Sequence, residues 1–337
     1  MDVNKLLFML SNTCGVSGNE SGVAGVLLGI LKEYTDDCYI SNGNVIGNFG
    51  NRTDDKPHVL IDAHMDEIGM ICSYIDDSGF IIPGNIGGMD YRLLPAQKVI
   101  IHGKEEVKGI ISAMPPHLTT NGGPVTEIEN VRIDTGYSKK ELSDKVPLGS
   151  TISYDVECKS LINGCVTGKS LDNRISAAAI LMMLDNLIGK KYCCSFSVLF
   201  STTEEIGGRG AKTACYAINP DIAIAVDTSF ALTADDKPCK CGKLGSGPMI
   251  GVSPSLSAEI SDMLVNISKQ KDIPYQTEIM SGLTGTNADH FGICRCGVKT
   301  CTCSIPIKYM HTPVELSCTE DIDNTSLLLS EFIRAVK

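Results

Sequence analysis

The chain has 337 residues, 43% of them hydrophobic, and a formal net charge of -11. This length and composition allow one large α/β domain with a smaller insert, or two ordinary domains. The acidic balance disfavours nucleic acid as a partner, because phosphate backbones carry the same sign of charge.

The fifteen cysteines bear on the compartment in which the protein works. Their number is odd, and the N-terminal apolar run spans only residues 6–10, which is too short for a secretory signal. The apolar stretch at 177–188 is interrupted by Asp185 and Asn186, so no membrane-spanning segment is expected. The sequence therefore predicts a cytoplasmic protein with reduced thiols and no membrane partner.

The first half of the chain changes character near residue 73. Helical spacing of apolar residues at 6–10 and 26–31 is followed by a short apolar run at 58–63, which predicts a buried parallel strand. Between 73 and 163, short strands alternate with Gly, Pro and Asp turns, which predicts a β-rich insert. Its stretch at 115–124 contains Pro and Gly and is predicted to be a loop.

After residue 164 the pattern alternates between strands and helices. Strands are predicted at 196–200, 222–226 and 299–305, and helices at 175–187, 211–217, 258–271 and 327–336. This alternation predicts an α/β fold with a mainly parallel, doubly wound sheet and helices on both faces. The expected domains are a catalytic α/β domain, residues 1–72 plus 164–337, and an inserted β-rich domain, residues 73–163.

Histidines and carboxylates follow the predicted buried strands. Since the carboxyl ends of parallel strands meet at one edge of a sheet, these side chains are expected to lie close together. Charged groups are costly there unless they are paired or bind metal. The candidate metal ligands are His64, Asp172, Glu205, Asp227 and His311.

Two imidazoles and three carboxylates suit a pair of borderline divalent ions, with Asp172 as the bridging ligand. Such ions activate a shared water and stabilise the attacking and leaving oxygens. Asp66 lies two residues after His64 and is predicted to fix the tautomer of that imidazole. Glu204 is predicted to act as the general base that takes the proton of the water.

Five segments together resemble the tetrahedral (TET) metallo-aminopeptidases, which are prokaryotic glutamyl, leucyl and lysyl aminopeptidases, some of them labelled cellulases. The resemblance extends from about residue 13 to the C-terminus. The segments read DAHMDEIG (62–69), LDNR (171–174), TEEIGGRGA (203–211), VDT (226–228) and YMHTPVE (309–315).

This resemblance implies a zinc-peptidase-like fold that hydrolyses N-terminal residues from short peptides. It implies two zinc or cobalt ions per subunit, one held by His64 and Asp227, the other by Glu205 and His311, with Asp172 between them. It further implies a cis peptide bond after Asp172, dimerisation through the β-rich insert, and a homo-oligomer that builds from dimers to a dodecamer.

Two positions depart from the family pattern and leave the preferred N-terminal residue open. Relatives commonly have Arg where Lys308 stands and Asp where Asn287 stands, and both positions are expected near the substrate. Among the remaining histidines, His290 is predicted to be packed or to cap a helix, and His58, His102 and His117 to be strand or loop residues. The cysteines Cys294, Cys296, Cys301 and Cys303 lack the usual zinc-knuckle spacing and are interpreted as core residues.

Three other functions compete with an aminopeptidase. A related metal-dependent deacylase or carboxypeptidase is poorly separated by sequence alone. An endoglucanase would need two carboxylates that flank a sugar and no histidine-bound metal. A non-catalytic assembly protein would be free to lose Glu204 and the five candidate ligands, all of which are present.

Overall fold

A computed structural model describes residues 1–114, 127–234, 237 and 241–337. The predicted loop at 115–124, with His117, lies outside these residues. The helices among them are α1 (Val3–Asn12), α2 (Ser21–Leu31), α3 (Lys139–Lys145), α4 (Leu171–Leu187), α5 (Arg209–Ile218), α6 (Ala258–Gln270), α7 (Ala288–Phe291) and α8 (Thr319–Ala335).

The strands form a large sheet, a barrel and a small three-stranded sheet. In chain order they are β1 (Cys38–Ser41), β2 (Asn44–Phe49), β3 (His58–His64), β4 (Gly69–Ile75), β5 (Ile81–Ile86), β6 (Lys98–His102), β7 (Glu106–Ile111), β8 (Ile133–Asp134), β9 (Thr151–Tyr154), β10 (Lys159–Ser160), β11 (Cys165–Gly168), β12 (Ser195–Ser201), β13 (Ile222–Phe230), β14 (Met249–Val252), β15 (Gln276–Ile279), β16 (Lys299–Ile307) and β17 (Glu315–Cys318).

The large sheet has the strand order β1-β2-β12-β3-β13-β16-β14-β15. The four central strands, β12, β3, β13 and β16, run parallel, whereas β2 and β14 pair antiparallel with this central group. Strand β3 is buried along its whole length, as expected for the centre of a sheet covered on both faces. The predicted α/β fold with a mainly parallel centre is confirmed.

Helices cover both faces of this sheet, because alternate residues of each strand point in opposite directions. Val59 and Ile61 of β3 belong to the core that α1, α2, α4, α6 and α8 complete. Leu60, between them, belongs to the core on the other face, with Ala211 of α5 and Phe291 of α7. This arrangement leaves the carboxyl-end edge of the central strands free for polar side chains.

The chain leaves the large sheet after β3 and forms a closed barrel with the strand order β4-β5-β8-β7-β6-β9. The barrel has its own apolar core, separate from the two cores of the sheet. The first residue of the barrel, Gly69, is crowded, since a Cβ there would lie 2.7 Å from the Ile152 carbonyl oxygen. The inserted β-rich unit is confirmed, while the boundaries at 73 and 163 and the dimerisation role stay predictions.

A search for membrane-spanning helices covered the described part of the chain. None of the helices found there combines the length and the apolar character needed to cross a bilayer.

Candidate metal centre

The predicted site residues reach one edge of the large sheet from different elements. His64 is the last residue of β3, and Asp227 lies in the carboxyl-terminal half of β13. Glu205 follows β12 in a short 3-10 turn, Glu204–Ile206, while Asp172 lies in the first turn of α4. His311 comes from the segment between β16 and β17. The parallel strands of the centre thus bring together residues that are far apart in the chain.

Asp172 lies between the two imidazoles. Its Oδ1 is 3.2 Å from Nε2 of His64, and its Oδ2 is 3.3 Å from Nε2 of His311. Each imidazole also faces one outer carboxylate: the distance is 3.6 Å from His64 to Oδ1 of Asp227 and 3.3 Å from His311 to Oε1 of Glu205. The cluster therefore has two halves, each with an imidazole and a carboxylate, joined by one shared acid.

The chemistry of this cluster suits divalent cations. Burial would lower the pKa of His311, but its hydrogen bonds with Asp172 and Glu205 raise that pKa to about 11. Burial raises the pKa of both Glu205 and Asp227, since their charged forms lose water. Three buried or half-buried carboxylates with imidazole nitrogens form a ligand set that borderline divalent ions favour. One ligand atom each from His64, Asp172 and Glu205 lies within 4.8 Å of the others, so residues from both halves lie close enough together to hold a metal ion at the cluster.

The start of α4 is hydrogen-bonded to β13, which sets the spacing between Asp172 and Asp227. The Asp172–Asn173 peptide bond is cis, as the resemblance implied. Asn173 Nδ2 donates to the Val226 carbonyl oxygen at 2.9 Å, and Ser176 Oγ donates to that of Asp227 at 3.0 Å. These two hydrogen bonds hold the segment that carries Asp172 against the backbone of β13 at Asp227.

Asp66 has a broader role than the one predicted. Nδ1 of His64 lies 3.1 Å from the backbone carbonyl oxygen of Asp66 and 3.5 Å from its Oδ1, so the carbonyl is the closer partner. The buried carboxylate accepts hydrogen bonds from the backbone N–H groups of Glu204, at 2.9 Å, and Glu205, at 3.2 Å, and from the hydroxyl of Ser17. Asp66 therefore also positions the turn that presents both glutamates.

Glu315 belongs to the last of the five segments that resemble the family, but sequence reasoning gave it no role. The carboxylate is buried at the start of β17. Its Oε2 accepts from the backbone N–H of Asp172 at 3.1 Å, and its Oε1 accepts from that of His311 at 2.8 Å. Glu315 thus holds the shared acid and one imidazole in register through their main chains.

Replacing Glu315 with Gln tests this positioning role. An amide has only one acceptor oxygen, so one of the two backbone N–H groups would lose its partner. We expect metal affinity and kcat to fall by roughly 10- to 100-fold, as for other residues that orient metal ligands. Metal titration and steady-state kinetics check this, with the exposed Glu320→Gln as the matched control. Unchanged metal affinity in Glu315→Gln would contradict the assignment.

The cluster forms the floor of a cleft of about 940 Å³. Glu204 lies at its side, half-buried, and burial raises the pKa of its carboxyl to about 8. Further along, the cleft is lined by residues of β13, β15 and the segment after β15. The cleft therefore leads away from the cluster along this wall.

The two positions that depart from the family pattern are not in the cleft wall. The side chain of Asn287 is buried and donates to Oδ2 of Asp62 and to Oγ of Ser201, both at 2.9 Å. Lys308 is half-buried and pairs through its backbone with Leu316. Asn287 itself lies outside the cleft lining, but its neighbour Thr286 belongs to that lining, so the expectation that both positions lie near the substrate stays a prediction.

The cysteine series does not form a metal site. Cys301 and Cys303 point to the same face of β16 and are buried in the helix-covered core, where burial raises the pKa of each thiol. Cys294 is buried in the opposite core, and Cys296 is exposed. In the described ranges, the group identified as able to hold an ion is the one around Asp172. The core interpretation is therefore confirmed for three of the four thiols.

The other histidines have structural surroundings. His58 lies at the start of β3, with its ring nitrogens 2.8 and 2.9 Å from the hydroxyls of Ser195 and Ser197. His102 ends β6, and His290 lies in α7. The ring of His290 packs so closely on Gly208 that a Cβ there would lie 2.1 Å from its Cδ2. The prediction of a packed His290 is confirmed.

Known proteins with similar sequences and folds include several aminopeptidases. The chain is 32% identical to a lysyl aminopeptidase of Pyrococcus furiosus, over 99% of this chain and 97% of that protein. Its fold is similar to that of an aminopeptidase from Desulfurococcus kamchatkensis, with a TM-score of 0.93 and 32% identity over 99% and 94% of the two chains. It is also similar to the Pyrococcus horikoshii TET1 peptidase, with a TM-score of 0.87 and 27% identity over 99% and 100%. The model of the M42 glutamyl aminopeptidase family matches residues 43–328, so the chain belongs to this family.

Proposed function

We propose that this protein is a two-metal aminopeptidase that removes N-terminal residues from short peptides. The supporting observation is the placement of Asp172, whose two carboxylate oxygens face different imidazoles. In this proposal His64 and Asp227 would hold one ion, Glu205 and His311 would hold the other, and Asp172 would be a ligand to both. Zinc and cobalt are the metals expected for this set of nitrogen and oxygen ligands.

The ions would supply Lewis acidity, which polarises the scissile carbonyl and makes a water molecule more acidic. Glu204 would take the proton of that water and give it to the departing amine. Its half-buried position beside the cluster supports this role, since burial raises its pKa towards neutrality. Asp66 holds Glu204 in place through the backbone N–H group of that residue.

The acidic character of the cleft supports an exopeptidase that acts at a free N-terminus. Glu204, Glu205 and Asp227 all line the cleft beside Asp172. A free α-ammonium group is attracted to such a cluster, whereas an acylated amine is neutral and larger. A peptide would therefore enter with its N-terminus first.

We further propose a cytoplasmic homo-oligomer, with dimers formed through the β-rich insert and a dodecamer built from them. The similar P. horikoshii TET1 peptidase can assemble into a tetrahedron or a large octahedral shell. Apart from Cys241, the cysteines of the described residues are free thiols, in keeping with a reducing compartment. Light scattering of the purified protein distinguishes dimer from dodecamer.

A substrate panel tests the proposed reaction. Protein reconstituted with zinc or cobalt is assayed on aminoacyl anilides, which carry a free α-amine, and on N-acyl amino acids and C-terminal peptide substrates. We expect hydrolysis of the anilides, loss of activity in chelator, and recovery after metal is added back. Hydrolysis of only the N-acyl or C-terminal substrates would assign the site to a deacylase or a carboxypeptidase instead.

A further inference from the structure

The cleft contains one acid that the proposed mechanism does not use. Glu278 lies on β15, near the edge of the large sheet, and its side chain lines the cleft. Its carboxylate accepts hydrogen bonds from the hydroxyls of Ser229 and Ser304, two residues on neighbouring strands. These two donors fix the position of the carboxylate, so it is a built part of the cleft wall.

Glu278 lies on the part of the cleft wall that leads away from the candidate metal centre. Its partner Ser229 follows Asp227 by two residues on β13, so the two side chains share one face of that strand. Two residues of strand span about 7 Å. A substrate whose scissile carbonyl lies at Asp227 would therefore direct its first side chain towards Glu278.

The charges along the described part of the cleft leave Glu278 without a cation. The four acids of the candidate centre, Asp172, Glu204, Glu205 and Asp227, would take up two divalent ions and the α-ammonium group of the substrate, so none of these cations is left for Glu278. Among the residues that the structure describes, no lysine or arginine lines the cleft. Burial raises the pKa of Glu278, as it does for a carboxylate that lacks a cationic neighbour. A cation from the substrate would fill this role.

The walls beside Glu278 suit an aliphatic stem. Met249 of β14 lines the cleft on the same face of the sheet as Glu278, because it pairs with Gln276, two residues earlier on β15. Met310 adds a second apolar side chain to the lining. Lysine and arginine side chains bury their methylene groups against apolar surface while the charged end finds a polar partner. The combination of apolar walls and a terminal acid therefore fits a long basic side chain better than a short or acidic one.

We propose that Glu278 determines specificity by binding the basic side chain of an N-terminal lysine or arginine. This inference rests on the proposed aminopeptidase function and assigns its substrate class. Glu278 is then a binding residue, since the reacting atoms lie at the other end of the cleft.

The test compares kcat/KM for lysyl, arginyl, leucyl and glutamyl anilides in the metal-loaded wild type and in Glu278→Gln. We expect the wild type to prefer the basic substrates. In the variant, kcat/KM for lysyl anilide should fall by about 10- to 100-fold, the usual size of a lost charge-assisted hydrogen bond. The value for leucyl anilide should change by less than about threefold. Glu259→Gln, an exposed acid on α6, is the matched control.

Charge reversal and direct binding provide independent measurements. Glu278→Lys should lower activity on lysyl anilide further and raise activity on glutamyl anilide. Calorimetry of the metal-loaded protein should show that free L-lysine binds more tightly than L-leucine, and that Glu278→Gln removes the difference. An equal loss on all four anilides, or a wild-type preference for leucyl or glutamyl anilide, would overturn the inference. Inactivity of the wild type on every anilide would instead refute the proposed function.

Discussion

Replacement of Asp172 by Asn is expected to remove both metal ions and at least about 10³-fold of the activity. The two oxygens of Asp172 face different imidazoles, so its charge serves both halves of the cluster. An amide is neutral and offers a single oxygen, which leaves each half with one imidazole and one carboxylate. Since bound ions contribute several kcal/mol of transition-state stabilisation, their loss produces a rate effect of this size.

The measurement is metal content per chain by mass spectrometry after dialysis, together with kcat/KM on an aminoacyl anilide. Asp227→Asn is the informative partner variant, because Asp227 contacts His64 alone of the two imidazoles and should cost one ion. Asp262→Asn changes an exposed acid on α6 and serves as the neutral control. Retention of two ions by Asp172→Asn would show that Asp172 is not a shared ligand.

The arrangement of the central sheet was accessible from sequence, because the apolar runs of β3, β12 and β13 are each followed by polar residues. His64 and Asp227 lie on β3 and β13, which are adjacent and parallel. A short apolar run followed by His or Asp therefore predicts both the strand and the edge at which its last side chain lies. Glu205 was found by the same signal, since β12 is the other neighbour of β3.

Contacts made through the backbone were not accessible in this way. Glu315 accepts from main-chain N–H groups of Asp172 and His311, and any residue type could supply these donors. The same holds for the contacts of Asp66 with the turn at Glu204. A carboxylate in a recognised segment is visible in the sequence, but the backbone groups that it holds are defined only by the fold.

Pairing between distant strands was equally hidden. Strand β15 reaches the cleft because the sheet order β16-β14-β15 departs from chain order, so nothing local to Glu278 indicates that it lines the site. The hydrogen bond from Asn287 to Asp62 was hidden for the same reason, since the two residues are 225 positions apart. Prediction of the proposed specificity residue therefore needed the three-dimensional course of the cleft, whereas prediction of the candidate metal ligands did not.

Glu204→Gln is expected to keep both metal ions and to lose about 10² to 10⁴ of the turnover rate, the usual contribution of a general base. Glutamine preserves the shape of the side chain and the backbone hydrogen bond from residue 204 to Asp66, so the turn that holds Glu205 should remain in place. The amide cannot accept and return the proton of the attacking water. The loss should therefore appear in kcat, with KM and metal content little changed.

Two comparisons separate this role from a structural one. Glu204→Asp keeps the carboxylate but withdraws it by one methylene, so its rate should lie between those of the wild type and Glu204→Gln. Glu33→Gln alters an exposed acid and should behave as the wild type. If Glu204→Gln lost metal or thermal stability, Glu204 would be a ligand or a packing residue. If it retained full turnover, proton transfer would have to be assigned to another group. Only a large fall in kcat with both ions still bound identifies Glu204 as the residue that moves the proton.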